Sequence, residues 1–319
     1  MTRRRLLQIL VAVLVLCTLC LASCGSHAPR SIPAVNELRS VDHSGIERIY
    51  FLHVPSRLYE EVPVPLVLVF HGGGGNGTSL VGFSGFDKVA DREGFIAVFP
   101  DGVGGNWNDG RENFASESHQ LNVDDVGFTD ALIETIASEF PIDRKSIYAT
   151  GISNGGIFCH FLAGQRSGTL AAIAPVAGEI AVPFNEQFNP DDAVSVLIVQ
   201  GTEDRLVPYG GGEVAGGNRG EVVSTDETVR LWVEHDGCDA TPVEQSLPDK
   251  DPNDGCTVTQ YTWSNGRSGS EVVLLKIVGG GHTWPGGPQY ASSLITGRVC
   301  RDFDATETIW DFFVRHPKP

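Results

Sequence analysis

The sequence predicts an α/β fold, with a mainly parallel β-sheet and helices on both of its faces. Continuous apolar runs at residues 65–70, 95–100 and 194–200 are typical of strands that are buried on both faces of a parallel sheet. Segments with helical spacing or helix-capping residues separate such runs. Because parallel neighbours need a crossover connection, this alternation favours helices on both sides of the sheet.

The individual elements follow from local patterns. Residues 46–54 alternate between apolar and polar side chains, as an antiparallel edge strand would. Asp124 or Asp125, Ser224 and Asp304 are expected to cap helices, because short polar side chains accept hydrogen bonds from the free N–H groups of a first turn. The strands are predicted at residues 46–54, 65–70, 95–100, 146–150, 171–177, 194–200, 257–263 and 271–278. The helices are predicted at residues 80–93, from Asp124 or Asp125 to 140, at 155–165, from Ser224 to 235, and after Asp304.

The charge of the chain excludes two classes of partner. The chain has 319 residues, of which 40 are acidic and 23 basic, and a formal net charge of −17. Such a surface repels nucleic acid and anionic membranes, and no basic stripe offers a site for either. We interpret the acidity as a source of solubility.

The N-terminus is predicted to be a secretory signal, residues 1–23. Three arginines at positions 3–5 precede an apolar run at residues 6–21, which is short for a membrane-spanning helix. Small residues follow this run. The protein is therefore expected outside the cytoplasm.

A cysteine follows the signal directly. Residues 21–24, Leu-Ala-Ser-Cys, resemble the lipobox of bacterial lipoproteins, in which the cysteine is acylated. Cys24 is the expected lipidation site, and this anchor is the only expected contact with a membrane; plain secretion is the alternative. Residues 24–40 are polar and are predicted to be a tether. No later linker divides the chain, so residues 41–319 are expected to form a single domain.

Four cysteines remain after residue 24, in a compartment that permits disulfides. Cys238 and Cys256 flank a polar stretch rich in Pro and Asp, and we predict a disulfide between them. Cys159 and Cys300 can pair as well, or remain as buried free thiols.

Ser153 lies in the pattern Gly151-x-Ser153-x-Gly155, between a predicted strand and a predicted helix. A sharp strand-to-helix turn brings the residues two before and two after the serine close together, so that only glycine fits there. The turn raises the serine hydroxyl above the end of the sheet. Ser153 is therefore the candidate nucleophile.

A serine nucleophile needs an imidazole base, and the base needs a carboxylate to orient it. In α/β-hydrolases these groups follow in the order Ser, Asp or Glu, His, each just after a strand. Asp204 follows the strand at residues 194–200, and His282 follows the strand at 271–278 after three glycines. Asp204 is preferred to Glu203, which is expected to face solvent. No cluster of His, Cys, Asp or Glu has metal-ligand spacing, so neither a metal nor another cofactor is expected.

An oxyanion hole is expected from two backbone N–H groups. One belongs to Asn154, the residue after the nucleophile. The other comes from the glycine run after His71, where Gly73 is preferred and Gly72 and Gly74 are alternatives. His71 itself is expected to brace this glycine loop.

Five blocks of the chain, in order, resemble the esterase/polyhydroxybutyrate depolymerase family, which includes feruloyl and acetylxylan esterases. The blocks are His71-Gly72-Gly73, Asp124-Asp125-Val126-Gly127-Phe128, Gly151-Ile152-Ser153-Asn154-Gly155-Gly156, Gly201-Thr202-Glu203-Asp204 with Val207-Pro208-Tyr209, and Gly280-Gly281-His282-Thr283-Trp284-Pro285-Gly286. The resemblance implies an α/β-hydrolase fold, triad roles for Ser153, Asp204 and His282, and a place for Trp284 beside the base. Trp107 and Trp284 are the candidates for stacking on an aromatic acyl group or a sugar.

The expected activity is that of an exported serine ester hydrolase that works through an acyl-enzyme. Its substrates are expected to be small or oligomeric esters: short-chain, hydroxyalkanoate, feruloyl or acetyl esters. The alternatives are a thioesterase or peptidase with the same machinery, and a non-catalytic surface-binding lipoprotein on the same fold.

Overall fold

The computed structural model describes residues 30–319, so the expected signal and Cys24 lie outside the described residues. Twelve strands follow one another along this part of the chain. They are β1 (Val35–His43), β2 (Ile46–Val54), β3 (Val64–Phe70), β4 (Ile96–Pro100), β5 (Ile142–Ile152), β6 (Ala172–Val176), β7 (Ser195–Gly201), β8 (Gly212–Glu213), β9 (Glu221–Val222), β10 (Val243–Ser246), β11 (Thr257–Trp263) and β12 (Val272–Val278).

Ten of these strands form one sheet in the order β1-β2-β4-β3-β5-β6-β7-β12-β11-β10, while β8 and β9 form a separate short hairpin. The six strands from β4 to β12 are parallel. Antiparallel pairs close both edges: β1 and β2 on one side, β11 and β10 on the other. The mainly parallel α/β sheet is therefore confirmed.

Helices cover both faces of the sheet. They are α1 (Gly77–Ser84), α2 (Phe86–Glu93), α3 (Glu117–Gln120), α4 (Asp125–Glu139), α5 (Asn154–Gln165), α6 (Val182–Asn185), α7 (Thr225–Asp236), α8 (Ser293–Thr296) and α9 (Ala305–Arg315). Along β3 the side chains of Leu66 and Leu68 join a core with α4 and α5, whereas Val67 and Val69 join a second core with α2 and α9. The period of two along a strand thus gives the sheet an apolar layer on each face.

The expected caps are present. Asp124 accepts a hydrogen bond from the N–H of Gly127 and so begins α4, which decides between the two candidates. Ser224 caps α7, and Asp304 caps α9 with two accepted hydrogen bonds. The helix predicted over residues 80–93 is instead two helices, because Gly85 has a φ of 73° and interrupts the ladder.

The expected tether at residues 24–40 is too long at its C-terminal end. Residues 35–40 belong to β1, which pairs with β2 along its whole length. Ile32 is already buried in the core, and Ser31 forms a bridge with Tyr59. The polar composition of this stretch reflects an edge strand with one exposed face. Within residues 30–319, no helix has the length and apolar character needed to cross a membrane.

The predicted disulfide between Cys238 and Cys256 is wrong. Cys256 comes directly before β11, whereas Cys238 lies near the other end of that strand, with its Sγ 3.9 Å from the carbonyl oxygen of Ser270. At about 3.3 Å per residue, the length of β11 separates the two thiols by roughly 20 Å, while a disulfide needs Cα atoms within about 7 Å.

Of the two open alternatives for Cys159 and Cys300, the structure shows the second, since both are buried free thiols. Cys159 and Cys300 belong to the cores on opposite faces of the sheet and do not pair. Cys300 lies beside Cys256 instead, and potential ligand atoms of Asp254, Cys256 and Cys300 all lie within 4.8 Å of one another. Spacing along the chain did not reveal this group, because its members come from two separate loops.

Candidate active site

Four loops meet at the carboxyl ends of the parallel strands. They follow β3, β5, β7 and β12 and carry, respectively, His71 with its glycines, Ser153, Asp204 and His282. Since neighbouring parallel strands point the same way, residues that directly follow them collect at one edge of the sheet. A cavity of about 630 Å³ opens there, and both Ser153 and His282 line it.

Ser153 occupies a strained turn between β5 and α5. Its backbone has a φ of 59° and a ψ of −124°, a conformation that non-glycine residues rarely adopt. Its N–H donates to the carbonyl oxygen of Val176 at 2.9 Å, which ties the turn to β6. A Cβ atom on Gly151 would lie 2.5 Å from the carbonyl oxygen of Phe70, and one on Gly155 would lie 2.2 Å from the same atom. The two glycines are therefore sterically required by the approach of β3.

Asp204 and His282 form a buried hydrogen-bonded pair. The His282 Nδ1 lies 2.7 Å from Asp204 Oδ2. The other carboxylate oxygen of Asp204 accepts hydrogen bonds from the N–H groups of Leu206 and Val207, each at 2.8 Å. With Nδ1 donating to the carboxylate, the free Nε2 of a neutral His282 is a proton acceptor. Glu203 is exposed, as expected from the sequence.

Two hydrogen bonds from the segment at residues 290–298 hold the backbone of His282 in place. The His282 N–H donates to the carbonyl oxygen of Thr296 at 2.5 Å, and the Tyr290 hydroxyl donates to the carbonyl oxygen of His282 at 3.0 Å. Burial raises the pKa of Tyr290 to about 12, so this phenol keeps its proton. No hydrogen bond joins Ser153 to His282 in the described residues, although both side chains face one cavity.

The two expected oxyanion donors flank Ser153. Within residues 30–319, the N–H groups of Gly73 and Asn154 have no hydrogen-bond acceptor, and both residues line the cavity. Gly74 is excluded as a donor because its N–H is bonded to the carbonyl oxygen of Gly105 at 2.8 Å. Among the described residues the N–H of Gly72 has no acceptor either, and a Cβ on Gly72 would lie 3.3 Å from the Cβ of Ser153, so Gly72 remains an alternative.

The side chain of Asn154 has a structural task that the sequence did not reveal. Its Oδ1 accepts from the N–H of Trp107 at 2.8 Å, and its Nδ2 donates to the Trp107 carbonyl oxygen and to Asp109 Oδ2, at 3.0 and 2.5 Å. Asp109 is fully buried between Arg111 and His119. Burial alone would raise the pKa of Asp109, but these two partners outweigh it and lower the pKa to about 2. A buried ionic network thus anchors the first turn of α5.

His71 braces the glycine loop, in agreement with the sequence. Its Nδ1 lies 2.8 Å from the carbonyl oxygen of Gly72, and its Nε2 accepts from the N–H of Gly102 at 2.9 Å. Burial lowers the pKa of His71, which favours the neutral ring that this pattern requires.

The expectation that Trp107 and Trp284 contact the substrate is not met by their positions. Trp107 is 0% exposed, donates its indole N–H to the His71 carbonyl oxygen at 3.0 Å and packs against Phe70 and Phe158. Trp284 is 1% exposed and donates to Thr306 Oγ1 at 3.0 Å. Neither lines the cavity. Both indoles are instead packing residues whose N–H groups bond within the protein.

Other side chains line the cavity without a motif in the sequence. They come from α1, from the segment after Trp107, from the segment between β7 and β9 and from the segment after β12, and they include Phe83, Arg111, Leu206, Val214, Arg219 and Tyr290. Glycine density around residues 210–220 was the one signal that a special loop lies there.

Three curated relatives agree with this geometry, while no family model matches the chain. The putative esterase NocK of Nocardia uniformis subsp. tsuyamanensis is 30% identical over 293 residues, which cover 88% of this chain and 83% of the relative. Feruloyl esterase B of Piromyces equi is 29% identical over 236 residues, covering 72% of this chain and 41% of the relative. The bifunctional acetylxylan esterase/xylanase XynS20E of Neocallimastix patriciarum is 25% identical over 242 residues, which cover 75% of this chain and 31% of the relative.

Solved structures support the fold. An acetyl xylan esterase from Aspergillus awamori superposes with a TM-score of 0.54 at 16% identity, covering 77% of this chain and 94% of the other. A structure named sOPH superposes with a TM-score of 0.53 at 17% identity, covering 92% of this chain and 91% of the other. With 30% identity to one relative along most of both chains, the protein belongs to the esterase family that contains feruloyl and acetylxylan esterases, and it is a carboxylic-ester hydrolase with the α/β-hydrolase fold.

Proposed function

We propose that this esterase is exported and cleaves short-chain, hydroxyalkanoate or plant-cell-wall (feruloyl or acetyl) esters through an acyl-enzyme on Ser153. The observation that carries the proposal is the hydrogen bond between His282 and Asp204 in the wall of the cavity that Ser153 also lines. It leaves one imidazole nitrogen free to accept a proton in the same cavity as the serine hydroxyl.

In the first half-reaction, Ser153 Oγ attacks the carbonyl carbon of the ester while His282 Nε2 takes the hydroxyl proton. The negative charge that develops on the carbonyl oxygen is stabilised by the N–H groups of Asn154 and Gly73. The tetrahedral intermediate collapses, the bond to the alcohol oxygen breaks, and the imidazolium returns its proton to the departing alkoxide. The alcohol leaves and the acyl group stays on Ser153.

In the second half-reaction, His282 takes a proton from water, and the hydroxide attacks the acyl carbon. The same two N–H groups hold the new oxyanion. The bond to Oγ then breaks and the proton on His282 passes to Ser153, which releases the carboxylic acid. Asp204 orients the imidazole and stabilises its positive charge throughout, without taking the proton.

Hydrolysis of p-nitrophenyl acetate and butyrate by a protein starting at residue 25 tests the chemistry. We expect turnover by the wild type and a loss of roughly three orders of magnitude or more in the Ser153→Ala variant. Ser138→Ala, on an exposed position of α4, serves as the matched control and should retain the wild-type rate. Equal rates for wild type and Ser153→Ala would refute the assignment and favour a binding protein.

A panel of methyl ferulate, acetylated xylan and 3-hydroxybutyrate oligomers then identifies the ester class. Acyl thioesters and short peptides belong in the same panel, since the machinery also suits a thioesterase or a peptidase. We expect oxygen esters to have the highest kcat/KM. A higher kcat/KM for the thioester or peptide would replace the proposed class.

Export and anchoring at Cys24 are tested in cells. Growth with a radioactive fatty acid should label the wild-type protein, and Cys24→Ala should remove the label. A label that survives the substitution, or no label in the wild type, would exclude the lipid anchor.

A further inference from the structure

The charged side chains that line the active-site cavity have the opposite sign to the net charge of the protein. The chain carries a formal net charge of −17. Yet the charged side chains that line the cavity are two arginines, Arg111 and Arg219, and neither an aspartate nor a glutamate is among the described residues that line it. Asp109 balances the charge of Arg111, so among the described residues Arg219 carries the uncompensated positive charge at the cavity.

The two arginines have different partners. Arg111 is buried, and its guanidinium binds Asp109 through Nε, at 3.1 and 3.0 Å from the two carboxylate oxygens, and through Nη2, at 2.7 Å. Its Nη1 is buried without a hydrogen-bond acceptor among residues 30–319. A buried donor without an acceptor is costly, so a ligand oxygen that reached this nitrogen would be favoured.

Arg219 is exposed and has no carboxylate within ion-pair distance among the residues that the structure describes. The neighbouring acidic residues Glu112 and Glu213 do not line the cavity. Its guanidinium is therefore available to a ligand. An arginine in this position offers a planar pair of donors that matches the geometry of a carboxylate.

The backbone places Arg219 next to Arg111. Gly220 has a φ of 74°, and a Cβ on it would lie 2.9 Å from the Cβ of Arg111. The carbonyl oxygen of Gly220 accepts from the N–H of Val214 at 3.0 Å, and the N–H of Ala215 donates to Leu206 at 2.7 Å. Val214, Ala215 and Leu206 also line the cavity. The loop formed by residues 206–220 therefore packs against the part of the cavity wall that carries Arg111.

We propose that the cavity selects esters that carry a carboxylate, which binds to Arg219 at the cavity wall, with Nη1 of Arg111 as a further donor beside it. The inference rests on the proposed esterase activity and names its substrate class. The ester group of such a substrate reaches Ser153, while its carboxylate contacts the part of the cavity wall that carries Arg219 and Arg111.

The experiment compares matched esters. One pair has the charge on the acyl side, p-nitrophenyl hydrogen glutarate against p-nitrophenyl valerate. The other has it on the alcohol side, 4-carboxyphenyl acetate against the acetate of methyl 4-hydroxybenzoate. We expect the wild type to prefer the charged member of at least one pair in kcat/KM, and Arg219→Gln to lower that charged-to-neutral ratio about tenfold, which corresponds to about 1.4 kcal/mol.

Two further variants separate recognition from general electrostatics. Arg219→Lys keeps the charge but loses the planar pair of donors, so it should restore part of the ratio. Arg57→Gln removes the same charge from an exposed position after β2, at the end of the sheet away from the catalytic loops, and should leave the ratio unchanged. A ratio that falls equally in Arg57→Gln and Arg219→Gln would overturn the proposal, and so would the absence of a charged preference in both pairs.

Binding without turnover keeps the two proposals distinguishable. In the Ser153→Ala background, monomethyl glutarate should raise the melting temperature more than dimethyl glutarate does, and Arg219→Gln should abolish the difference. If this binding difference is present while no ester is hydrolysed by the protein with Ser153 intact, the proposed function fails and the anionic subsite stands. If neutral esters are hydrolysed and the binding difference is absent, the subsite fails and the esterase stands.

Discussion

The two walls of the active-site cavity are built in different ways. The catalytic wall is defined by Gly72, Gly73, Ser153, Asn154 and His282. Asn154 and His282 are buried, and the side chains behind this wall are hydrogen-bonded into the core. The loop wall, residues 206–220, is rich in glycine, and much of it is exposed. Its backbone passes through positive φ at several positions, including Ala215 and Asn218.

The difference separates two tasks. Stabilising an oxyanion requires N–H groups that are already in position, because reorganisation during the reaction would reduce their effect. Selecting one ester over another requires only that a few side chains face the bound group, and a loop on a rigid scaffold can supply them. We therefore expect substitutions on the catalytic wall to affect every substrate, and substitutions on the loop wall to affect some substrates only.

The largest effect is expected for Asp204→Asn. An amide in this position no longer stabilises the imidazolium and can hold His282 in the wrong tautomer, so kcat for p-nitrophenyl butyrate should fall about 10⁴-fold. Glu203→Gln is the matched control, because Glu203 is exposed and next to it in sequence, and should keep the wild-type kcat. A fall below tenfold in Asp204→Asn would assign the orienting role to another carboxylate.

Gly151→Ala should destabilise the fold strongly. The new Cβ would lie 2.5 Å from a carbonyl oxygen of β3, which cannot move without breaking the sheet. We expect a loss of about 3 kcal/mol in the free energy of unfolding, measured by urea denaturation. Gly210→Ala on the loop wall meets nothing within 4 Å and should change this free energy by less than about 0.5 kcal/mol. Similar losses in both variants would remove the contrast between the walls.

Asn154→Ala keeps the backbone N–H but removes the side-chain bonds to Trp107 and Asp109. The loss of a charge-assisted, buried hydrogen bond should lower the free energy of unfolding by about 2 kcal/mol. Because the first turn of α5 loses its anchor, kcat should fall for neutral and charged esters alike. Asn253→Ala, whose residue is exposed, is the control. An unchanged kcat would show that the anchor serves stability alone.

Glu179 makes the stability of the protein depend on pH. It is buried, its Oε1 accepts from Thr225 Oγ1 at 2.8 Å, and burial raises its pKa from 4.5 to about 8. Below pH 4.5 the carboxyl is protonated in both the folded and the unfolded state. Between pH 4.5 and 8 the unfolded state releases this proton while the folded state keeps it, so the free energy of unfolding should fall as pH rises, by up to about 1.4 kcal/mol per pH unit.

Glu179→Gln should remove this part of the pH dependence. Urea denaturation at pH 5, 6.5 and 8 measures the difference, and the variant should gain most over the wild type at pH 8. If the free energy of unfolding depends on pH in the same way in both proteins, the pH dependence does not come from Glu179.

Local patterns were sufficient for the catalytic wall because its geometry depends on features that are short in sequence. The turn at Ser153 needs two glycines within five residues, and Asp204 and His282 need only to follow a buried strand. Because the strands are parallel, residues that directly follow them meet at one edge of the sheet, and no long-range contact has to be known to predict this. The helix caps at Asp124, Ser224 and Asp304 are local for the same reason.

Contacts between distant segments could not be predicted in this way. The pairing of Cys238 with Cys256 assumed that residues near in sequence are near in space, but β11 extends between them. The large aromatic ring of Trp107 made it a candidate for stacking on the substrate. Only the tertiary structure shows that His71 and Phe158 enclose this ring. Strand β1 was taken for a tether because its exposed face makes it polar overall.

The sequence by itself determined the α/β architecture, the candidate triad and one of the two candidate oxyanion donors, because periodicity, caps and sharp turns act within a few residues. Only the tertiary structure decided which groups fill the cavity and which lie behind it. Arg219 and Arg111 are 108 positions apart in number, and their neighbourhood arises from the packing of Gly220 on Arg111, a contact that no local pattern specifies.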